Sequence, residues 1–208
     1  LVWDVMPTSD GVYFRAEHHL FFLPDDGGPA GRWALPEEVR AFHYAGGVLY
    51  ARLAGRGLCR VEDGRFVDVP GGAVFADQIL AGVFERGGHG LLIGGRGLYR
   101  ADNDGIERVP GPVSDWLDGR KNYASRELGD GSIAVGTLDG DLMRFDATLA
   151  VREQIDLGPF AVHDLDVDRE GGLWVATEGD LVRLAMPSPW SFLGATQGLA
   201  GSPADFAW

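Results

Sequence analysis

The stretch of sequence that decides the fold is residues 162–184, VHDLDVDREGGLWVATEGDLVRL. Three short runs of strand-forming residues lie within it, at 163–167, 173–177 and 181–184, and turns rich in Asp and Gly separate them. Apolar and polar residues alternate in the first run, as they do along a β-strand that buries one face. The stretch therefore predicts three consecutive antiparallel strands joined by tight turns.

Weaker copies of this pattern recur along the chain at a nearly constant spacing. The turn glycine before the second strand recurs at intervals of 36, 43, 41 and 41 residues, and the first leucine of the third strand at 38, 40, 44 and 39. The two series are Gly11, Gly47, Gly90, Gly131 and Gly172, and Leu20, Leu58, Leu98, Leu142 and Leu181. A period of about 40 residues is the length of one four-stranded propeller blade. The sequence thus predicts an all-β chain, a β-propeller with about five four-stranded blades.

One blade cannot bury both of its apolar faces, so at least three must stack. We expect a single propeller fragment over residues 1–208, with repeats at about 1–38, 39–78, 79–121, 122–160 and 161–198, and with 199–208 beginning a further blade. The fourth strand of the fifth unit is predicted at 190–193. Trp174 is predicted to lie between blades, in a slot that the earlier units fill with Tyr13, Tyr50, Leu92 and Ala134. No segment shows a sustained helical period, so residues 110–122 are interpreted as a polar connection.

The composition limits the classes of function. The formal charge is −13, from 18 basic and 31 acidic residues, and no Lys/Arg cluster interrupts the acidic excess. Nucleic acids and anionic membrane surfaces are therefore poor partners. The single cysteine, Cys59, excludes an internal disulfide and a cysteine-based metal site. No run is apolar and long enough to insert into a membrane, and both ends read as cut from a longer protein.

Residues 166–184 resemble the two-component-regulator propeller repeat, in which a strand is followed by D-x-x-G-x-L-W-[IVL]-[AG]-T and a third strand with Arg. The matching positions are Asp168, Gly171, Leu173, Trp174, Val175, Ala176, Thr177 and Arg183, while Asp180 replaces the usual Gly. The resemblance implies a non-catalytic, periplasmic sensor domain of a membrane-anchored bacterial signalling protein, whose output domain is a histidine kinase or a diguanylate cyclase. It also implies a larger propeller of seven or more blades.

Candidate ligand-binding residues lie in the first strand of each unit, which lines the central channel of a propeller. Asp164, Asp166 and Asp168 alternate and so face one side, where an acidic wall could bind a cation or a polyol. Aromatic and histidine side chains fall at similar places in other first strands and could bind a small molecule such as a carbohydrate. The candidates are His163, Asp164, Asp166, Tyr123, Tyr44 and Trp3. The alternative is that they form turns, channel wall and blade core.

No motif in the sequence indicates a cofactor, a metal site or catalytic residues. The five histidines lack metal-ligand spacing, and Val113 stands where a calcium loop beginning at Asp102 needs Glu. We therefore expect no cofactor, and a small molecule or a protein as partner.

Two other functions stay open. A propeller-fold lyase or glycosidase would need an acid/base pair about 5–10 Å apart across the channel, for which only Asp164 and Asp166 are suggestive. The second of these alternatives is a passive protein-interaction scaffold. An open arc of blades would also expose two apolar faces, which favours self-association.

Overall fold

The structure, a computed structural model, describes residues 2–185, which form five antiparallel sheets in chain order. Blade 1 contains β1 (Val2–Pro7), β2 (Gly11–Ala16), β3 (His19–Pro24) and β4 (Gly31–Ala34). Blade 2 contains β5 (Val39–Ala45), β6 (Val48–Leu53), β7 (Gly57–Glu62) and β8 (Arg65–Asp68). Blade 3 contains β9 (Leu80–Arg86), β10 (His89–Gly94), β11 (Gly97–Asp102) and β12 (Gly105–Val109). Blade 4 contains β13 (Asn122–Glu127), β14 (Ile133–Thr137), β15 (Asp141–Phe145) and β16 (Val151–Asp156). Blade 5 contains β17 (Val162–Val167), β18 (Leu173–Thr177) and β19 (Leu181–Leu184).

Within each sheet the strands follow one another in chain order, so every blade is a simple antiparallel meander. The first strands β1, β5, β9, β13 and β17 contact one another in that order and enclose a central channel. This arrangement is a β-propeller, and it confirms the predicted all-β class and the four-stranded blade. The strand predicted at 190–193 and the further blade predicted at 199–208 lie outside the described residues.

Apolar side chains fill the spaces between neighbouring blades. Between blades 3 and 4, for example, Ile93 and Leu98 meet Val135 and Met143, and all four are fully buried. Equivalent clusters lie between blades 1 and 2, 2 and 3, and 4 and 5. Burying one such side chain stabilises the fold by about 1.5–3 kcal/mol. The stack of blades, rather than any single blade, is therefore the stable unit.

Arginines add directional hydrogen bonds to these apolar interfaces. Each donates from one blade to backbone carbonyl oxygens of the next blade or of the connection leading into it. The bonds run from Arg15 to Arg40 (3.2 Å), from Arg52 to Phe75 (2.9 Å), from Arg86 to Gly131 (2.6 Å) and from Arg126 to Leu165 (2.8 Å). Hydrogen bonds from a charged donor are stronger than neutral ones.

The sequence predicts a plain loop at residues 110–122. The structure instead contains a short helix there, α1 (Pro112–Leu117). Proline at its first turn suits a helix start, and Val113 and Leu117 are buried against the interface between blades 3 and 4. Six residues are too few for a helical period to show in the sequence. A 3₁₀ helix, Gly72–Phe75, likewise places Phe75 in the core between blades 2 and 3.

The slot predicted for Trp174 is confirmed in four blades and shifted by one residue in blade 3. Tyr13, Tyr50, Ala134 and Trp174 all pair with the same position of the third strand. In blade 3 the residue at this place is Leu91, so the prediction of Leu92 was wrong. The cause is the hairpin turn, which lies at residues 87–88 with both glycines at positive φ, before the predicted turn glycine at position 90.

Candidate functional site

The central channel is a large cavity, with a volume of about 1110 Å³. Residues from all five first strands line it. Its volume slightly exceeds the usual range of small-molecule sites, and it crosses the borders between blades. A ligand here would contact several blades at once.

Each first strand carries one β-bulge near its start, where the pairing with the second strand skips one residue. A bulge leaves its extra residue outside the regular ladder and re-aims the side chain. The five extra residues all line the channel, and we call them the bulge ring: Trp3, Arg40, Ala81, Tyr123 and His163. Because the bulge sits at the same place in every blade, it sets these five residues at one level of the channel.

The aromatic members of the bulge ring are open to the channel. Trp3 is 59% exposed and Tyr123 is 49% exposed, so neither side chain fills the blade core. Tyr123 meets His163 edge to face, with ring centroids 6.2 Å apart. Exposed rings that also carry a polar group can stack on a ligand and hydrogen bond to it.

Charged groups of both signs complete the wall, so it is not the acidic wall that the sequence predicts. The positively charged lining side chains are Arg15, Arg40, Arg52 and Arg126. The negatively charged ones are Asp4, Glu127 and Asp164. Arg15 and Asp4 form an ion pair of 3.1 Å. The channel therefore suits a polar ligand that offers both donors and acceptors.

Of the six predicted site residues, His163, Asp164, Tyr123, Tyr44 and Trp3 line the channel, and Asp166 does not. Asp166 instead pairs with Arg126 of blade 4, at 3.2 Å. Tyr44 is no member of the bulge ring, because it lies four residues after the bulge of its own strand and packs partly against the core between blades 1 and 2.

Arg40 takes the bulge position in blade 2 but is not among the predicted site residues, because that prediction rested on aromatic, histidine and aspartate side chains. The repeat period was the available signal, since Arg40 follows the first strand's opening residue as Tyr123 does in blade 4.

His43 forms a polar part of the channel wall between blades 2 and 3. Its Nε2 lies 3.1 Å from the carbonyl oxygen of Leu80, and because a carbonyl only accepts, Nε2 carries the proton. Burial lowers the pKa of this imidazole, so it is neutral at pH 7. Among residues 2–185 no cluster of His, Cys, Asp or Glu has the arrangement to hold a metal ion.

The Asp168 carboxylate belongs to a turn and not to the channel. One oxygen accepts the backbone N–H groups of Glu170 (2.9 Å) and Gly172 (2.8 Å). The other accepts from Trp174 Nε1 (3.0 Å) and Arg183 Nε (2.7 Å). These bonds hold the pKa of Asp168 well below its usual range. The most recognisable residues of the repeat therefore hold the turn and the neighbouring strands of blade 5 together.

Comparison with known proteins places this fold beside bacterial extracellular domains. No protein-family model matches the chain, and no curated protein matches it. Among solved structures, the extracellular domain of a protein described as the one-component system BT4673 from B. thetaiotaomicron superposes with a TM-score of 0.64 and 15% identity over 88% of this chain. The extracellular domain of the hybrid two-component system protein BT3049 from the same organism gives 0.62 and 10% over 90%. The WD40 propeller domain of Doa1 gives 0.64 and 11% over 86% of this chain and 61% of its own.

These likenesses define the class of protein as a β-propeller, and at such low identity they establish the fold alone. The resemblance to the two-component-regulator propeller is thereby supported at the level of the fold. The chain spans only 26% and 28% of the lengths of the two bacterial domains. Within residues 2–185, no helix is long and apolar enough to cross a membrane.

Proposed function

We propose that this chain is part of the periplasmic sensor domain of a membrane-anchored bacterial signalling protein, and that the bulge ring binds its ligand. The observation that carries the proposal is the bulge itself, repeated at one position in all five first strands. It turns Trp3, Arg40, Tyr123 and His163 toward the channel at a common level. The similarity to extracellular domains of signalling proteins supports the sensor role and the periplasmic location.

The chemistry of the wall favours a polyhydroxylated small molecule, such as a short carbohydrate. The rings of Trp3 and Tyr123 offer flat apolar faces, which can stack on the C–H side of a sugar. Arg40 and Asp164 line the same cavity and can donate to and accept from hydroxyl groups. A protein loop inserted into the channel mouth is the alternative occupant, and the experiment below separates the two.

Binding would change the packing of blades, because the ring residues belong to different blades. A ligand held by blades 1, 2, 4 and 5 together favours the spacing at which all four contacts form. Such a ligand shifts the equilibrium between two states of an output domain only by the difference in its affinity for those states. The interface arginines, Arg15 and Arg126 among them, line the same channel and would transmit a change in spacing.

We propose no catalytic activity for this chain. The carboxylates considered for acid/base chemistry, Asp164 and Asp166, lie on one strand rather than across the channel, and the second is paired with Arg126. The solved structures of similar fold named above are extracellular domains of signalling proteins and a WD40 domain.

A thermal-shift screen with neutral and uronic oligosaccharides tests the proposal on the 208-residue chain. A ligand at one hundred times its Kd adds about 2.7 kcal/mol, which raises Tm by roughly 5–10 °C for a domain of this size. Tyr123→Ala should abolish most of the shift by removing the stacking face. Phe160→Ala removes an exposed aromatic outside the channel and should retain it.

One outcome would count against the bulge ring, and another would count only against a carbohydrate as its ligand. A ligand whose shift survives both Trp3→Ala and Tyr123→Ala binds elsewhere. A chain that responds to no oligosaccharide, but whose Tyr123→Ala variant loses a protein partner, would favour the protein occupant.

A further inference from the structure

A second cavity, of about 440 Å³, opens between blades 3 and 4, and it shares no lining residue with the channel. Its floor is apolar and consists of Leu91, Val109, Ile133, Phe145 and Leu149. Its rim is polar and includes Arg86, His89, Arg100 and Asp146. An apolar floor with a few polar groups at the edge is the usual composition of a small-molecule site.

The slot that blade 5 fills with Trp174 holds Leu91 in blade 3 and Ala134 in blade 4. Blades 3 and 4 differ most in the placement of the third-strand arginine. In blade 4 the third-strand arginine, Arg144, is buried between Asp130 and Glu153. Its counterpart in blade 3, Arg100, turns outward and lies on the rim of the cavity.

The rim contains one guanidinium that is held only loosely. Arg86 already pairs with Glu127 at 3.0 Å and donates to a backbone carbonyl. The carboxylate on the rim, Asp146, is occupied by Thr148, Ala150 and Arg152. Arg100 makes a 3.7 Å contact with Asp102, which is too long for a hydrogen bond.

Hydrogen bonds within its own turn also hold the pKa of Asp146 well below its usual range, so it stays charged but satisfied. It therefore competes little for Arg100. The loosely paired guanidinium of Arg100 and the apolar floor together favour an anion that carries a hydrocarbon part.

We propose that this interblade cavity binds a small amphiphilic carboxylate, with its alkyl chain or aromatic ring on the apolar floor and its carboxylate paired with Arg100. The planar guanidinium can hold a carboxylate through two parallel hydrogen bonds, which an alcohol or an amine cannot form. The site is separate from the channel and does not depend on the proposed sensor function.

The test measures binding of octanoate, with octanol and octylamine as probes of equal chain length. Isothermal titration calorimetry on the whole chain should show octanoate binding at least tenfold more tightly than either of the other two. Arg100→Gln should weaken octanoate binding at least tenfold. Arg60→Gln changes the equivalent arginine of blade 2, which does not line this cavity, and should leave octanoate binding unchanged.

Leu91→Trp gives blade 3 the slot residue of blade 5 and should abolish binding by filling the cavity. If that variant does not fold, methyl chemical-shift changes in the wild-type protein locate the ligand instead, and they should appear at Leu91, Val109 and Leu149. The proposal is overturned if octanoate does not bind at millimolar concentration, if octanol and octylamine bind equally well, or if the methyl shifts map to the channel.

Discussion

Blades 2 and 3 differ from blades 4 and 5 in how the same third-strand arginine is used. In blades 4 and 5 the turn between the first two strands supplies a carboxylate, and Arg144 and Arg183 bind it at 3.1 Å and 2.7 Å. In blades 2 and 3 that turn is a pair of glycines. Arg60 and Arg100 instead pair with an acid two residues further along their own strand, at 3.8 Å and 3.7 Å.

The difference shows that the turn between the first two strands, and not the third-strand arginine itself, decides whether this arginine forms a close ion pair. The side chain of Arg144 is 9% exposed, whereas that of Arg100 is 52% exposed. A two-glycine turn gives the tightest hairpin but offers no side chain to the rest of the blade. A longer Asp-containing turn adds acceptors that fix the arginine. The same repeat thus yields a buried third-strand arginine in blade 4 and an exposed one in blade 3.

The largest expected effect comes from removing the arginine of a locked blade. Arg144→Met should lower the free energy of unfolding by about 2 kcal/mol, because it leaves Asp130 and Glu153 unpaired; a fully buried pair would cost roughly 3–5 kcal/mol. Arg100→Met should change it by less than about 0.5 kcal/mol, since an exposed pair contributes little. Urea unfolding measures both. Equal losses would show that the two kinds of blade are held alike.

A smaller effect is expected when the turn carboxylate is neutralised. Asp168→Asn should destabilise blade 5 at pH 7, because an amide cannot accept all four bonds that the carboxylate accepts. The folded-state pKa of Asp168 is lowered, so its contribution is complete above the unfolded value of about 4 and is lost as the pH falls below it.

The variant should therefore lose less stability than the wild type between pH 4 and pH 2, as urea midpoints across that range will show. Asp104→Asn, in an exposed turn of blade 3, serves as the control and should keep the wild-type acid profile. An unchanged profile in Asp168→Asn would mean that the turn carboxylate is not coupled to folding.

The smallest expected effect compares the interface between blades 2 and 3 with the interface between blades 4 and 5. A neutral His43 joins blade 2 to blade 3, whereas Arg126 joins blade 4 to blade 5. Because the folded-state pKa of His43 is lowered, the unfolded chain binds more protons below about pH 6.5, and stability falls on acidification.

One proton limits this slope to about 1.4 kcal/mol per pH unit. His43→Gln should flatten the stability profile between pH 7 and pH 5, measured by urea unfolding at each pH. His18→Gln, which removes an exposed histidine of blade 1, should not. A profile that flattens equally in both variants would assign the slope to histidines in general.

Most of the fold could be predicted from the sequence because its signals are local. The runs predicted at 173–177 and 181–184 coincide with β18 and β19, since alternation and turn glycines act within a few residues. Helix α1 could not be predicted because its six residues form less than two turns, too few for a helical period to repeat. The Leu92 error arose because Gly90 follows the true turn glycines so closely that it can be taken for one of them.

The candidate site was only partly predictable. Trp3, Tyr123 and His163 could be found because aromatic residues recur near the start of the first strands. The bulges that expose them have no marker in the sequence, since each adds one residue to a strand of six or seven. The interface arginines could not be assigned either, because their acceptors lie 23 to 45 residues away along the chain.

The four interface arginines all donate toward the C-terminal neighbour, from Arg15 through to Arg126. During synthesis, each blade therefore leaves the ribosome with its guanidinium still hydrated, and the next blade supplies the carbonyl oxygens that receive it. Each guanidinium can stay hydrated until the neighbour that carries its carbonyl acceptors has been made. Docking of the blades in the order of translation would therefore suit this array.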